Sequence, residues 1–266
     1  MDGGFRFKKS LGQNFISDTN LLNAIVSDAG ITSRDVVVEI GAGAGGLSLA
    51  LSKKAKKVFS FEVDGSLRET LERTLSGCGN VEVIFSDVLK MSDGEIARLV
   101  GGEFKVAANL PYYITTPLIM RFLESGLGVS DMTVMVQREV AERLTAKPGT
   151  KDYSAVTVTV DFYADAKILR NVGRNMFYPV PNVDSALIGL KIIPDKYPVK
   201  DRVKFLKFTS AAFAMRRKTF ANNLNAAFGI DKPLIEKRLI ESGYPPNIRG
   251  ETLSMSDFLK LFGVFF

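Results

Sequence analysis

The chain has 266 residues, of which 46% are apolar and 24% are charged, a composition that supports one large core and a smaller second domain. Cys78 is the only cysteine and histidine is absent, which excludes an internal disulfide and removes the most common general base and metal ligand. No apolar stretch has the length of a membrane span, and none follows the basic N-terminus as in a secretory signal. We therefore expect a cytoplasmic protein without a metal centre.

The positive net charge lies in the C-terminal part of the chain. Residues 195–266 carry 13 Lys and Arg against 7 Asp and Glu, whereas the residues before them carry equal numbers of both signs, so this part accounts for the net charge of +6. A neutral part followed by a basic part favours binding of a polyanion by the basic part. A basic surface that only contacts solvent would explain the count equally well.

The first 190 residues or so alternate between short β-branched runs and helical patterns. The runs predict strands at 36–38, 57–61, 81–85, 104–108, 133–136, 156–162 and 183–193, with the last one at the edge of the sheet. Helical periodicity predicts helices at 47–55, 66–75 and 117–123. This alternation predicts an α/β fold, in which helices cover both faces of a largely parallel sheet.

A proline-containing break near Pro194 ends this pattern. Beyond it the sequence predicts helices at 203–213, 218–228, 233–241 and 257–262, with Pro233 in the first turn of its helix and Asp231 as the cap. We therefore predict two domains, an α/β domain at 1–194 and a small all-α domain at 195–266.

A glycine-rich loop follows the first predicted strand and opens a helix, at Glu39-Ile40-Gly41-Ala42-Gly43-Ala44-Gly45-Gly46. Glycines at such a position let the backbone turn tightly and approach a ligand closely. The same glycines satisfy a dinucleotide-binding pattern, and Glu62 stands where NAD-dependent oxidoreductases place a ribose-binding acid. The loop alone therefore leaves NAD and S-adenosylmethionine open as cofactors.

Asp87, at the end of the third predicted strand, helps to separate these cofactors. A carboxylate there can accept a hydrogen bond from an adenine amine, while Glu62 binds ribose hydroxyls. S-adenosylmethionine contains adenine and ribose but no pyrophosphate, so acids at two successive strand ends suit it better than a dinucleotide. The competing interpretation of Asp87 is a helix N-cap.

The segment Asn109-Leu110-Pro111-Tyr112 follows the fourth predicted strand, where ligands of open α/β sheets bind. It resembles the (Asp/Asn)-x-Pro-Tyr signature of methyltransferases that act on amino groups of nucleic-acid bases. The Asn109 side-chain oxygen and the Leu110 carbonyl can accept hydrogen bonds from an adenine N6 amine and leave its lone pair available. Pro111 stiffens the turn, and Tyr112 offers a ring on which the base stacks.

Over nearly its whole length the chain resembles the small-subunit ribosomal RNA adenine N6,N6-dimethyltransferases, which are class I S-adenosylmethionine-dependent enzymes with a Rossmann-like sheet. The resemblance rests on motifs that occur in the same order: 8–15 (KKSLGQNF), 39–45 (EIGAGAG), 62–64 (EVD), 87–89 (DVL), 109–117 (NLPYYITTP), 137–144 (QREVAERL), 177–185 (FYPVPNVDS) and 216–218 (RRK).

The resemblance implies roles for matching residues. Gln13 and Asn14 would lie over the methionine end of the cofactor, and Phe177 would stack on the target adenine opposite Tyr112. The remaining residues that it implies for the cofactor site are Phe15, Glu39, Gly41, Gly43, Glu62, Val63, Asp87, Val88 and Asn109. It also implies dimethylation of two adjacent adenines in a hairpin loop near the 3′ end of small-subunit rRNA, within an immature ribosomal particle.

The cationic cluster Arg216-Arg217-Lys218 is expected to contact RNA phosphates, and a solvated helix end is the competing interpretation. We expect a monomer, because no exposed apolar helix stripe or heptad is evident. The nearest rival is the large-subunit rRNA adenine methyltransferase of macrolide resistance, which shares the cofactor and Asn109–Tyr112 motifs. The Thr115-Thr116-Pro117 continuation, the Phe177 motif and the cationic cluster favour the small-subunit family.

Overall fold

The computed structural model describes residues 14–16 and 18–266, and contacts divide the chain into two compact units. The first unit contains the described residues up to Ala141 together with Ala166–Ile192. The second contains Glu142–Asp165 and Ile193–Phe266. No helix in the described part of the chain is both long and apolar enough to cross a membrane.

The first unit is built on a sheet with the strand order β4-β3-β2-β5-β6-β9-β7. Its strands are β2 (Val36–Ile40), β3 (Lys57–Glu62), β4 (Val81–Phe85), β5 (Phe104–Asn109), β6 (Val129–Gln137), β7 (Ala164–Val172) and β9 (Ser185–Ile192). Strands β4 to β6 in this order are parallel, and β9 runs antiparallel to β6. The strand order reverses between β2 and β5, which is where open α/β sheets form a ligand-binding crevice.

Helices and a short ribbon complete the first unit. The helices are α1 (Thr19–Asp28), α2 (Gly46–Ser52), α3 (Arg68–Leu75), α4 (Asp93–Val100), α5 (Thr115–Leu123) and α6 (Arg138–Leu144), of which α6 runs on into the second unit. Strands β1 (Phe15–Ile16) and β8 (Phe177–Tyr178) form an antiparallel ribbon.

Side-chain alternation along the strands explains how the sheet holds its helices. Val37 and Val58 pack in one buried cluster with Leu22 of α1 and with Leu47 and Leu51 of α2. Their strand neighbours point to the opposite face, because successive residues of a strand alternate. The predicted α/β sheet with helices on both faces is confirmed. The strands predicted at 36–38, 57–61, 81–85, 104–108 and 133–136 fall within β2 to β6, and the predicted helices correspond to α2, α3 and α5. Strand β7 and helices α1, α4 and α6 are not among the predicted elements.

The second unit is helical and has a core rich in phenylalanine. Its helices are α7 (Ala155–Tyr163), α8 (Arg202–Ala212), α9 (Phe220–Phe228), α10 (Lys232–Glu241) and α11 (Met255–Phe265). Phe208 lies at the centre, with its ring 5.6 Å from that of Phe220 and 6.4 Å from that of Phe258, both edge-on. Such pairs contribute about 1 kcal/mol each beyond burial. The four helices predicted beyond Pro194 are confirmed, although Asp231 makes no side-chain cap bond.

Two sequence predictions about elements are wrong. Residues 156–162 form helix α7 and not a strand, because Val158 and Phe162 lie one turn apart and both enter the aromatic core of the second unit. That tertiary burial outweighs the β-propensity of the Val and Thr run. Strand β9 lies between β6 and β7, so the sheet edge is β7 and not the predicted 183–193 segment.

The two units also differ in extent from the two predicted domains. The sequence places everything before residue 195 in one domain, whereas contacts group Glu142–Asp165 with the helices that follow Ile193. Helix α7 is the reason, since its buried side chains belong to the phenylalanine-rich core. The periodicity of a sequence marks elements, and it carries no direct information on which core a helix joins.

Candidate active site

A cavity of about 650 Å³ opens at the carboxyl ends of β2, β3, β4 and β5. Each of these strands contributes residues at or just beyond its carboxyl end. Among the residues that line the cavity are Asn14, Phe15, Gly41, Gly43, Glu62, Val63, Asp87, Val88, Asn109, Leu110 and Pro111. The structure therefore brings eleven of the sequence-predicted site residues to one place, at the switch point of the sheet.

The glycine loop leaves β2 in a conformation that needs glycine at Gly41, Gly43 and Gly45, the last of which has a φ angle of 85°. Gly41 and Gly43 have φ angles of 80° and 58°, in the left-handed region that side chains disfavour. A Cβ on Gly43 would also lie 2.7 Å from the ring of Phe15. The loop therefore keeps its backbone close to the cavity, as a ligand that binds main-chain groups requires.

Glu62 ends β3 with its carboxylate fixed by the backbone. One oxygen accepts the N–H of Gly43 at 2.8 Å, and the other accepts those of Val63 and Asp64 at 2.8 Å each. The residue is only 6% exposed, so these bonds set its orientation toward the cavity. A carboxylate offers about four acceptor positions, which leaves capacity for a ribose hydroxyl.

Asp87 lies in a turn after β4 and does not cap a helix. Its Oδ1 accepts the N–H of Leu89 at 3.1 Å, and its Oδ2 lies 3.4 Å from the Lys90 ammonium. The next helix, α4, begins at Asp93 and is capped by Ser92. The competing interpretation of Asp87 as a helix N-cap is therefore wrong, and its carboxylate lines the cavity instead.

Asn109 ends β5 with its amide oriented by a hydrogen bond. Its Nδ2 donates to the backbone carbonyl of Asn14 at 2.9 Å, so Oδ1 is the end of the amide that can accept a bond. The Pro111 carbonyl accepts the N–H of Ile114 at 3.1 Å and the Thr115 hydroxyl at 3.3 Å. The loop from Asn109 to Thr115 is thus tied at both ends.

Tyr112 lies beside the cavity and does not line it. Its hydroxyl hydrogen-bonds to the Ser185 hydroxyl at an O–O distance of 2.9 Å, and burial raises the pKa of the phenol. Two tyrosines that the sequence prediction missed, Tyr113 and Tyr178, do line the cavity and are 62% and 56% exposed. Their positions next to predicted residues in the same motifs are the only sequence signal for them.

Glu39 lies beneath the glycine loop and not in the cavity lining. It is fully buried, and one carboxylate oxygen accepts bonds from the Ser48 hydroxyl and, at 2.5 Å, from the Ser60 hydroxyl. Its other oxygen has no hydrogen-bond partner among the described residues. Burial raises the pKa of Glu39 to about 7. The structure therefore places this predicted cofactor residue under the loop that lines the site.

Of two further residues predicted for this site, one is described by the structure. Phe177 is 3% exposed and packs in the cluster that contains Ile16 and Leu187, so neither ring face is open to a base in this conformation. The ribbon of β1 and β8 accounts for this, because it pairs Ile16 with Phe177 and draws the ring into the core. Gln13 lies outside the described residues.

The cationic cluster of the second unit, Arg216 to Lys218, lies in an exposed turn between α8 and α9. The buried Asn223 braces this turn: its Nδ2 donates to the Ala212 carbonyl at 2.9 Å, and its Oδ1 accepts the N–H of Met215 at 3.1 Å. Arg216 itself donates to the Lys151 carbonyl at 2.8 Å. The turn presents three cations on a backbone that is held in place.

The cavity suits S-adenosylmethionine better than a dinucleotide. Backbone groups of the glycine loop, the oriented Glu62 carboxylate and the Asp87 carboxylate follow one another around its rim, at the ends of β2, β3 and β4. These groups can bind an amino-acid portion, a ribose and an adenine. Fold and cavity together define the class, that of Rossmann-like methyltransferases.

Comparison with known proteins narrows the class to a family. Residues 4–251 match the model of the ribosomal RNA adenine dimethylase family. The chain is 45% identical to ribosomal RNA small subunit methyltransferase A of Clostridioides difficile over 97% of this chain and 90% of that protein. It is 46% identical to the protein of the same name from Bacillus thuringiensis, over 97% of this chain and 91% of that protein.

Solved structures show the same architecture. A dimethyladenosine transferase from Plasmodium falciparum superposes with a TM-score of 0.78 at 26% identity, over 94% of this chain and 97% of that one. The 23S rRNA methyltransferase ErmE gives 0.73 at 24% identity, over 94% and 98%, and shares the fold. The chain belongs to the ribosomal RNA adenine dimethylase family, whose cofactor is S-adenosylmethionine. Family membership excludes the NAD-dependent alternative.

Proposed function

We propose that this protein dimethylates the N6 amines of two adjacent adenines in a hairpin loop near the 3′ end of small-subunit rRNA. In this proposal it acts as a monomer on immature small subunits in the cytoplasm. The family and the names of the relatives from C. difficile and B. thuringiensis support the choice of substrate. The observation that carries the chemistry is the Asn109 amide, whose Nδ2 donates to the Asn14 carbonyl, so that Oδ1 is the end that can accept a bond from a substrate amine.

The acceptors at the end of β5 are suited to an aromatic amine. The lone pair of adenine N6 is delocalised into the ring, which makes the amine a poor nucleophile. The Asn109 Oδ1 and the Leu110 carbonyl accept its two hydrogens and favour a pyramidal nitrogen with an available lone pair. Because these acceptors are fixed before the substrate binds, they stabilise the transition state without reorganisation.

S-adenosylmethionine supplies a methyl group that is already activated by a sulfonium. When this cofactor is bound, Glu62 would accept hydrogen bonds from its ribose hydroxyls, Asp87 would accept one from its adenine amine, and Val63 and Val88 would line the same cavity. As the N–C bond forms, the bond between the methyl group and sulfur would break with its electron pair kept by sulfur, and the N6 proton would then leave to water, so no side-chain base is required. This is consistent with a chain that contains no histidine.

The target base must leave its RNA stack to reach Asn109. Tyr112 holds it on one side in our proposal. Phe177 can do so on the other side only if the β1–β8 ribbon shifts, because the ring is buried in the present conformation. The exposed cations at Arg216, Arg217 and Lys218 bind phosphates of the ribosomal particle.

The large-subunit alternative has less support. ErmE shares the fold at 24% identity, and an identity at that level does not indicate that the two proteins share a substrate. The curated relatives named for the small subunit are 45% and 46% identical over nearly the whole chain. Testing both ribosomal subunits side by side separates the two functions.

The test is incubation with labelled S-adenosylmethionine and unmethylated small subunits, followed by nucleoside analysis. We expect N6,N6-dimethyladenosine in the small-subunit RNA and none in large subunits treated identically. Dimethyladenosine in large subunits alone would establish the alternative. Absence of product from both would overturn the proposed function.

A further inference from the structure

The hydroxyl of Tyr112 has a buried partner on a distant part of the chain. Ser185 is 0% exposed, and its Oγ lies 2.9 Å from the Tyr112 hydroxyl. Tyr112 follows β5, whereas Ser185 begins β9, so 73 positions separate the two residues. The bond therefore links the loop that carries Asn109 to another strand of the same sheet.

The sheet register explains why these residues meet. Asn109 pairs with Met135 of β6, and Ser185 pairs with Gln137 slightly further along β6. Because β9 runs antiparallel to β6, its first residue lies at the edge where the parallel strands end. The sheet register therefore places Ser185 at the edge of the sheet where Asn109 lies.

The backbone next to Ser185 is held firmly. The Asp184 carbonyl accepts the N–H of Arg138 at 3.0 Å, and the Asp184 carboxylate accepts the N–H of Arg174 at 3.0 Å. Ser185 itself continues into the β6–β9 ladder. A hydroxyl on such a fixed backbone can set the direction of a tyrosine ring that is only partly buried.

We propose that Ser185 is a positioning residue, which orients the Tyr112 ring so that a base stacked on it presents N6 to Asn109. This inference rests on the proposed function and adds a residue to its machinery. It differs from a merely structural role, in which the buried hydroxyl pair stabilises the fold and has no effect on turnover once the protein is folded.

The experiment compares Ser185→Ala, Tyr112→Phe and the double variant with the wild type, below their unfolding temperatures. We expect each single variant to lower kcat for unmethylated small subunits roughly tenfold, as for the loss of one hydrogen bond that orients a reacting group. KM for the particle and the calorimetric affinity for S-adenosylmethionine should stay within about twofold of the wild-type values, because the hydroxyl pair binds neither the particle nor the cofactor.

The double variant distinguishes a shared bond from two separate effects. If Ser185 acts through Tyr112, the double variant is no slower than either single variant. Ser185→Thr, which keeps the hydroxyl, should recover most of the lost kcat. A matched control is Ser130→Ala, which removes a partly buried hydroxyl that donates to the Phe104 carbonyl at 3.5 Å. Ser130 lies near the start of β6, far from the carboxyl edge of the sheet. This substitution should leave kcat unchanged.

Failure of this inference and of the proposed function are separable. A wild-type protein that makes dimethyladenosine, with unchanged kcat in Ser185→Ala and Tyr112→Phe, would overturn the positioning role alone. Additive losses in the double variant would overturn it as well. A wild type without product would overturn the proposed function and the inference with it.

Discussion

The two regions to which we assign function differ in how their charged and polar groups are held. At the carboxyl edge of the sheet, Glu62 accepts three backbone N–H groups and Asn109 is fixed by a carbonyl. In the cationic turn, Arg216 to Lys218 are exposed on a braced backbone. Chemistry on one nitrogen atom requires fixed acceptors, whereas attraction to many phosphates requires only charge.

The difference predicts that variants at the sheet edge change turnover or cofactor affinity. Variants in the turn should change the binding of the ribosomal particle and its dependence on salt.

Asn109→Ala should have the largest effect. Removal of one preorganised acceptor lowers kcat by roughly 100-fold or more, while binding of the particle is retained. Single-turnover nucleoside analysis measures the rate, and filter binding measures the affinity. Asn225→Ala is the control, since that amide donates to the Ile230 carbonyl in the second unit. Dimethylation by Asn109→Ala at the wild-type rate would show that the catalytic assignment is wrong.

Glu62→Ala should act on the cofactor. It removes the ribose acceptor and also leaves the N–H groups of Gly43, Val63 and Asp64 without their partner. We expect the calorimetric affinity for S-adenosylmethionine to fall about 100-fold, with some loss of stability. Glu62→Gln keeps one oxygen acceptor, so its affinity for S-adenosylmethionine should lie between those of the wild type and Glu62→Ala. Equal affinities of all three proteins would remove Glu62 from the cofactor site.

Replacement of Arg216, Arg217 and Lys218 by Gln should weaken particle binding moderately. Loss of three phosphate contacts makes the slope of log affinity against log salt shallower by about 2. Replacement by Glu should weaken binding further. Lys237→Gln is a control on α10, where the ammonium already faces Glu241 at 3.8 Å. A salt slope equal to that of the wild type would support the solvated-surface interpretation instead.

Glu39→Gln should change how stability depends on pH. Burial raises the pKa of Glu39 from 4.5 to about 7, so between these values the folded state binds a proton that the unfolded state has lost. This contribution is full below pH 4.5 and is lost as the pH rises through 7. The wild-type Tm should therefore fall by several degrees across that window relative to Glu39→Gln, as measured by thermal melts. Parallel pH curves would contradict it.

Asp257 of the second unit should show the opposite pH dependence of stability when the thermal melts are extended below pH 3.8. Burial opposes its ionisation, but hydrogen bonds from Ser254 and Tyr244 outweigh that effect and lower its pKa. Its contribution is present above the ordinary pKa of 3.8 and is lost as the pH falls through the lowered value. The two carboxyl groups thus shift stability in opposite directions with pH.

Most residues that line the cavity could be predicted from the sequence, because the carboxyl ends of parallel strands meet at one edge of a sheet. Gly41, Glu62, Asp87 and Asn109 each follow a predicted strand, so their proximity follows from topology alone. Helix α7 could not be predicted in the same way, since its Val and Thr run has β-propensity and only packing in the aromatic core makes it helical.

The features of the site that the sequence did not predict depend on contacts between distant segments. Burial of Phe177 follows from the pairing of β1 with β8, and the role of Ser185 follows from the register of β9 against β6. A serine in a strand carries no signal of the tyrosine that it will meet. The sequence also gives no signal that residues 142–165 belong to the second unit, because this grouping depends on side chains far along the chain.

The most direct test of the central claim is a crystal structure of the protein with a cofactor analogue and the target hairpin. Our account predicts that Oδ1 of Asn109 and the Leu110 carbonyl both lie about 3 Å from N6 of the flipped adenine. The same complex should retain the bond between Nδ2 of Asn109 and the Asn14 carbonyl. An Asn109 side chain turned away from the substrate amine would contradict the account.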